Sequence, residues 1–238
     1  MNPSELHAEF TSLNQQIINC EKCPRLRSYC TEIARVKRRA YRQEMYWGKP
    51  VPGFGDEQAR VLVVGLAPGA HGSNRTGRMF TGDDSGIFLY ASLHRFGFAN
   101  QSAAASREDG LLLTDIYITA VGRCAPPDNK PTSVELANCQ PYLLREMDLL
   151  SGLVGVVALG KIAFDAMKAI LHQRGVNLPS VDFAHGAFTA TPTGSFWLLG
   201  SYHPSRQNTQ TGRLTVAMFD QIWAKVRDLL ASKHDRSA

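Results

Sequence analysis

Four short, continuous apolar runs constrain the fold of this chain more than any other feature of its sequence. They lie at residues 60–66, 115–121, 153–159 and 196–202. Runs of this length without polar alternation are typical of strands buried on both faces. Helical patterns separate them at about 85–95, 132–149 and 161–173, and a last amphipathic helix is predicted near 213–231. This alternation predicts an α/β protein, a three-layer α/β/α sandwich with a central, mainly parallel four-stranded sheet.

The N-terminal part of the chain precedes the first strand pattern. Apolar residues at helical spacing predict a helix over 4–19, and a basic helical stretch is expected to follow to about Trp47. We interpret residues 1–238 as a single domain, with 1–55 as a cysteine-bearing basic extension packed on it. No apolar run is long enough for a membrane span, and the N-terminus does not resemble a signal peptide. We therefore expect a cytoplasmic protein without membrane contacts.

Positive charge is concentrated in this extension. The chain has a formal net charge of +5, but residues 21–49 alone hold nine basic and three acidic side chains. The basic ones are Lys22, Arg25, Arg27, Arg35, Lys37, Arg38, Arg39, Arg42 and Lys49. Tyr41, Tyr46 and Trp47 lie within or beside this stretch. The combination is typical of a nucleic-acid-binding surface, although it equally suits a solvated helix face with packed aromatic rings.

Four of the five cysteines have a spacing that indicates ligation. Cys20 and Cys23 form a local pair, and Cys124 and Cys139 follow far along the chain. In a reducing compartment, an odd cysteine count argues against a disulfide framework. Four thiolates can hold either tetrahedral zinc or a 4Fe-4S cluster. Cys30 is predicted to be a buried or unpaired thiol.

A ligand site is predicted at the carboxyl ends of the strands, where open parallel sheets bind their ligands. The loop after the first run, residues 65–83, contains five glycines that allow close approach of the backbone to a ligand. It lacks the Gly-Lys-Ser/Thr ending of a P-loop. His203 follows the fourth run directly and precedes Pro204. We expect its imidazole to be held in the crevice as a catalytic hydrogen-bond donor.

At these residues the sequence resembles the uracil-DNA glycosylase superfamily, and most closely its iron-sulfur-containing family 5, the type-b enzymes. The motifs that carry the resemblance are the cysteine pair at 20 and 23, GLAPG at 65–69, RTGRMFTGD at 75–83, CAPP at 124–127, NKP at 129–131, Cys139 and HPS at 203–205. They cover nearly the whole chain. The resemblance implies a 4Fe-4S cluster with a structural role, held by Cys20, Cys23, Cys124 and Cys139. It also implies a DNA repair enzyme that flips uracil out of DNA and hydrolyses its N-glycosidic bond.

The resemblance also implies roles for individual residues. Phe80 matches the ring that stacks on the extruded base, although core packing would explain it too. The backbone around Ala67, Gly69 and Ala70 would approach the base closely. His203 is expected to donate a hydrogen bond to the leaving uracil anion, and a neutral imidazole suffices for this.

Two positions depart from the pattern of many superfamily members. Where relatives carry an Asp or Asn that positions the attacking water, this chain has Ala67, which is itself the family 5 pattern. Asn74 is our candidate substitute, with loop capping as the alternative, and Asp83 is the second candidate. Ala120 stands where relatives often read the uracil edge with an Asn. We therefore predict a broad specificity that includes hypoxanthine or xanthine.

The segment after His203 is expected to enter the minor groove beside the lesion, unless it is only a polar surface loop. Its candidate DNA-binding residues are Ser205, Arg206, Gln207, Asn208 and Arg213. We expect a monomer that acts on double-stranded DNA containing deaminated bases, with single-stranded DNA as a further substrate. Two alternatives are a non-catalytic iron-sulfur module that binds DNA lesions and a zinc-stabilised protein that acts on free nucleotides.

Overall fold

The computed structural model of the chain describes residues 1–234, with side chains described through residue 232. Its sheet has six strands in the order β1-β3-β2-β4-β6-β5. The strands are β1 Phe54–Gly55, β2 Val61–Gly65, β3 Ile116–Ala120, β4 Gly155–Leu159, β5 Phe188–Ala190 and β6 Trp197–Ser201. The four central strands pair in parallel, which confirms the predicted sheet. The two short edge strands pair antiparallel and were not predicted, because neither contains an apolar run.

Helices lie on both faces of this sheet. They are α1 Pro3–Ile18, α2 Pro24–Val36, α3 Ser73–Thr76, α4 Asp84–Arg95, α5 Ser133–Leu149, α6 Lys161–Gln173, α7 Arg206–Gln210 and α8 Val216–His234. Successive strand side chains point to opposite faces. Val61 and Val63 of β2 accordingly join one core cluster with α4 and α8, whereas Leu62 and Val64 join another with α1, α5 and α6. The three-layer arrangement is thus confirmed.

The prediction of a helical stretch to about Trp47 was wrong. The helix α2 ends at Val36, where Lys37 adopts a left-handed conformation with φ of 59°. A single 3-10 turn follows at Arg39–Tyr41. Beyond it, Glu44 forms an ion pair with Arg75 of the loop after β2. This ion pair, which the local pattern does not encode, holds the segment after α2 against that loop.

The N-terminal helix is part of the core. Asn2 and Glu5 form a capping box at its start, and Phe10, Leu13 and Ile17 are buried. These side chains pack in the cluster that covers one face of the sheet. No helix in residues 1–234 is both long and apolar enough to cross a membrane.

A buried ion pair fixes the chain where β3 ends. Arg123 is 1% exposed and donates two hydrogen bonds to Glu146 of α5, which is fully buried. The Thr119 hydroxyl donates to the same carboxylate at 2.7 Å. Since the next residue is Cys124, this network sets the position of one of the predicted ligands.

Candidate active site

A cavity of about 750 Å³ opens at the carboxyl ends of β2, β3 and β6. Its walls come from the loops that follow these three strands and from the segment after α2. Strands that are distant in sequence end side by side here because they are parallel neighbours in one sheet.

The loop after β2 places an aromatic ring in the cavity. Phe80 is 8% exposed and has a φ of 51°, a conformation that costs a non-glycine residue about 1–3 kcal/mol. Gly65 makes room for this ring, because a Cβ atom there would lie 2.9 Å from Phe80 Cζ. Gly86 makes room for the Phe80 carbonyl oxygen, which would lie 1.7 Å from a Cβ atom at that position. The surrounding structure therefore holds Phe80 in a conformation that a free chain would avoid.

Asp83 lies at the end of the same loop and lines the cavity. Its Oδ1 caps α4 by accepting the Gly86 N–H at 3.0 Å. Its Oδ2 lies against Gly72, where a Cβ atom would come within 1.9 Å of it. Burial raises the pKa of this carboxyl above its ordinary value, and the Gly86 N–H partly opposes the shift. A carboxylate with a raised pKa is a better proton acceptor than an ordinary aspartate.

His203 follows β6 and faces Phe80. The two rings are stacked at 29°, with their centroids 5.7 Å apart. His203 Nδ1 is buried without a hydrogen-bond partner, whereas its carbonyl oxygen accepts from Asn208 Nδ2 at 2.9 Å. Burial lowers the pKa of His203 to about 4. The side chain is therefore a neutral imidazole near pH 7.

Most of the predicted site residues meet in this cavity. Its lining includes Ala67, Gly69, Ala70, Phe80, Ala120, His203, Ser205, Arg206 and Gln207. Asn208 and Arg213 line an adjoining cavity of about 490 Å³, which shares His203 and Gln207 with the first.

Asn74 is not among the residues that line either cavity. It is fully buried, and its amide nitrogen lies 3.4 Å from the carbonyl oxygens of Cys30 and Ala70. This placement agrees with the alternative role in the loop and does not support contact with an attacking water.

Several cavity residues were not singled out from the sequence. They include Tyr29, His71 and Asp128. His71 lies inside the glycine-rich loop, so its position in that loop was the available signal. Arg38 and Tyr41 were expected only as part of the basic stretch, and Asn129 only as part of the NKP motif. Tyr29, Arg38 and Tyr41 come from the N-terminal extension, and only the tertiary structure brings them to the cavity.

The cysteines gather beside this region. Cys23, Cys124 and Cys139 are buried, and Cys20 is partly exposed. Asn138 Nδ2 lies 3.4 Å from Cys23 Sγ. Burial raises the pKa of the Cys139 thiol to about 11, and the nearby charges of Cys124 and Cys23 act in the same direction. Among the described residues, no three His, Cys, Asp or Glu side chains are placed to hold a single metal ion.

Comparison with known proteins gives consistent matches. A family model described as the uracil DNA glycosylase superfamily matches residues 52–227. The chain is 50% identical to the type-5 uracil-DNA glycosylase of Mycobacterium leprae (strain TN), over 91% of this chain and 94% of that protein. It is 48% identical to the type-5 enzyme of Thermus thermophilus, over 90% and 95% of the two chains. The type-5 enzyme of Pyrobaculum aerophilum is 42% identical, over 87% of each chain.

Proposed function

The chain belongs to the uracil-DNA glycosylase superfamily, and from this premise we propose that it excises uracil from DNA by hydrolysing the N-glycosidic bond, leaving an abasic site. The observation that carries the proposal is the pairing of Phe80 with a neutral, partly buried His203 in one cavity. An extruded base needs an aromatic surface to stack on and a fixed donor for the charge that develops as it leaves.

The leaving base is stabilised by His203. As the bond between the sugar C1′ and the base N1 breaks, the electron pair moves to the base and negative charge collects on N1 and O2. A neutral imidazole N–H aimed at that charge stabilises it without proton transfer. One such preorganised donor typically contributes about 100- to 1000-fold in rate.

We assign the activation of the attacking water to Asp83. Ala67 has no polar side-chain atom, and Asn74 does not line the cavity, whereas Asp83 lines it and has a raised pKa. The water oxygen forms the new bond to C1′, and its proton passes to the Asp83 carboxylate. Of the two candidates from the sequence, Asp83 is thus the better placed.

The base specificity is broad. Ala120 lines the cavity, and the resemblance places it where other superfamily members often read the base edge with an Asn. A site without that contact leaves no buried polar group unpaired when a different base enters. The volume of about 750 Å³ also accommodates the larger hypoxanthine and xanthine rings.

The protein acts as a monomer on double-stranded DNA and also accepts single-stranded DNA. The loop after β6 contacts the strand: Ser205, Arg206 and Gln207 line the catalytic cavity, and Asn208 and Arg213 line the adjoining one. The basic stretch 21–49 binds the flanking backbone, so that affinity falls as salt rises.

Cys20, Cys23, Cys124 and Cys139 hold a 4Fe-4S cluster that stabilises the fold. Buried thiols with raised pKa values are poor nucleophiles but become thiolates when they bind metal.

The cluster is tested by visible absorbance and iron content of purified Cys139→Ser and Cys30→Ser variants. We expect Cys139→Ser to lose both signals and Cys30→Ser, which removes no proposed ligand, to keep them. If the wild-type protein contains stoichiometric zinc and no iron, the cluster is contradicted and the four cysteines bind zinc instead.

The activity is tested in a single-turnover assay on duplexes that contain one uracil, hypoxanthine or xanthine, followed by alkali to cleave abasic sites. Cleavage at uracil supports the proposed function, and cleavage at the other two supports the broad specificity. Tight binding of the damaged duplex without cleavage of any base would favour the non-catalytic lesion-binding module. Hydrolysis of free nucleotides in preference to DNA would favour the zinc-stabilised protein that acts on free nucleotides.

A further inference from the structure

We propose that Arg38 and His71 form a binding subsite for a phosphodiester group of the DNA strand that carries the damaged nucleotide. The inference rests on the proposed function and gives the N-terminal extension a specific part in the same cavity. Both residues line that cavity.

A hydrogen-bond chain links Arg38, Tyr46 and His71. The Tyr46 hydroxyl oxygen accepts the backbone N–H of Arg38 at 3.3 Å and lies 3.1 Å from His71 Nδ1. Burial lowers the pKa of His71, and the charges of Arg38 and Arg75 lower it further, so the imidazole is neutral near pH 7. In the proposed subsite the Tyr46 hydroxyl donates its proton to Nδ1, which leaves the ring proton on Nε2.

The Nε2–H group of His71 is free to meet a ligand. It makes no hydrogen bond to any residue that the structure describes, and it is not one of the enclosed, unpartnered polar atoms. In the proposed subsite this donor meets the ligand in the cavity, which both His71 and Asp83 line.

Arg38 supplies a positive charge beside this donor. Its side chain is exposed, and within the described part of the chain it has no ion pair. Arg75, by contrast, is occupied: it pairs with Glu44, donates to two backbone carbonyl oxygens and lies over the Tyr41 ring. Arg75 therefore holds the extension in place, and Arg38 remains available to a ligand.

This pair of groups fits a phosphodiester better than a base. A base carbonyl is neutral and needs only a donor, whereas a phosphate presents charge and several acceptor oxygens to a guanidinium and an N–H together. A base stacked on Phe80 is separated from its own phosphates only by the sugar. One of the two flanking phosphates must therefore lie near the margin of the cavity.

The test uses uracil duplexes in which an uncharged methylphosphonate replaces each flanking phosphodiester in turn. For the wild-type protein, one of the two replacements should weaken duplex binding about 10-fold, the scale of a lost charge-assisted hydrogen bond. Arg38→Gln and His71→Ala should weaken binding of the unmodified duplex by a similar factor. In these variants the same methylphosphonate replacement should weaken duplex binding by less than about 2-fold, since the interaction is already lost.

Further measurements separate this role from a structural one. Arg38→Gln should lower the slope of log affinity against log salt by about one. Tyr46→Phe, which removes the hydroxyl next to His71 Nδ1, should reduce the sensitivity to methylphosphonate only in part. The matched controls are Arg227→Gln and His172→Ala, two exposed side chains that do not line the cavity, and both should behave as wild type.

The proposal is overturned if the variants weaken binding of every duplex by the same factor, methylphosphonate substrates included. A loss of excision rate with unchanged sensitivity to methylphosphonate would instead place His71 at the base edge and also overturn it. Binding is measured independently of cleavage. Wild-type protein that binds but never excises uracil would therefore contradict the proposed function, while the subsite would still be decided by the binding data.

Discussion

Replacing His203 with alanine is expected to reduce the single-turnover rate of uracil excision by about 100- to 1000-fold, or about 2.7–4 kcal/mol. The imidazole makes no hydrogen bond to any described residue, and Nδ1 is buried without a partner. The substitution therefore removes no internal hydrogen bond. The decrease in excision rate therefore measures the interaction between the His203 imidazole and the leaving base.

The same environment determines which form of His203 acts. With a pKa of about 4, protonating His203 at pH 7 costs about 4 kcal/mol, because each unit is worth about 1.36 kcal/mol. That cost is as large as the whole benefit expected from the donor. A neutral imidazole is therefore the efficient form, and the titration of His203 should not affect the rate between about pH 5.5 and 8.

The assay compares wild type, His203→Ala and His203→Gln on a duplex with one uracil, at several pH values, with thermal melting of each protein as a folding check. His203→Gln keeps an amide donor and should recover part of the lost rate. His172→Ala, an exposed histidine of α6, is the matched control and should keep full activity.

Two results would refute this reasoning. One is a loss of less than about 10-fold for a well-folded His203→Ala protein, since an oxyanion donor contributes more than that. The other is a wild-type rate that falls with rising pH through about 6.5, with no such step in the variant. That profile would show that the protonated imidazolium form of His203, and not the neutral form, stabilises the leaving base.

Three further predictions concern neighbouring groups. Because the folded-state pKa of His203 lies below its ordinary 6.5, the protein should lose stability as the pH falls from about 6.5 to 4, by up to about 3 kcal/mol, and urea unfolding of His203→Ala should lack this loss. Asp83→Asn keeps the helix cap but cannot accept a proton, so the excision rate should fall at least about 100-fold. The wild-type rate should also drop at acidic pH through a pKa above 3.8, and an Asp83→Asn enzyme with normal rates would exclude the assigned base. Glu146→Gln leaves the Arg123 charge buried and unpaired, which should cost about 3–5 kcal/mol. Calorimetry should then show a Tm lower by about 6–20 °C, and a change below 2 °C would contradict the role of this pair.

Some of the molecule was predictable because its signals are local. The four apolar runs identify the parallel strands, since a strand buried on both faces must be apolar throughout. The helix predicted at 161–173 matches Lys161–Gln173 because its apolar spacing and its boundaries lie in one segment. The glycine-rich loop and the histidine after the last parallel strand marked the carboxyl end of the sheet, and the cavity lies there.

The rest depends on contacts between distant segments. The edge strands β1 and β5 exist only through their pairing with β3 and β6. The segment after α2, which ends at Val36, is held through Glu44 to Arg75, a residue far along the chain.

The sequence by itself determined the fold class and the residue types available for chemistry, because these follow from local periodicity, and its motifs indicated the family through their resemblance to known members. Only the tertiary structure decided which groups share a cavity and in which protonation state. In the folded chain Asn74 lies outside the cavity, whereas Asp83, Arg38 and His71 all line it. The physical reason is that burial and neighbouring charges control pKa values and hydrogen bonding, and both are set by packing between residues that are far apart in the chain.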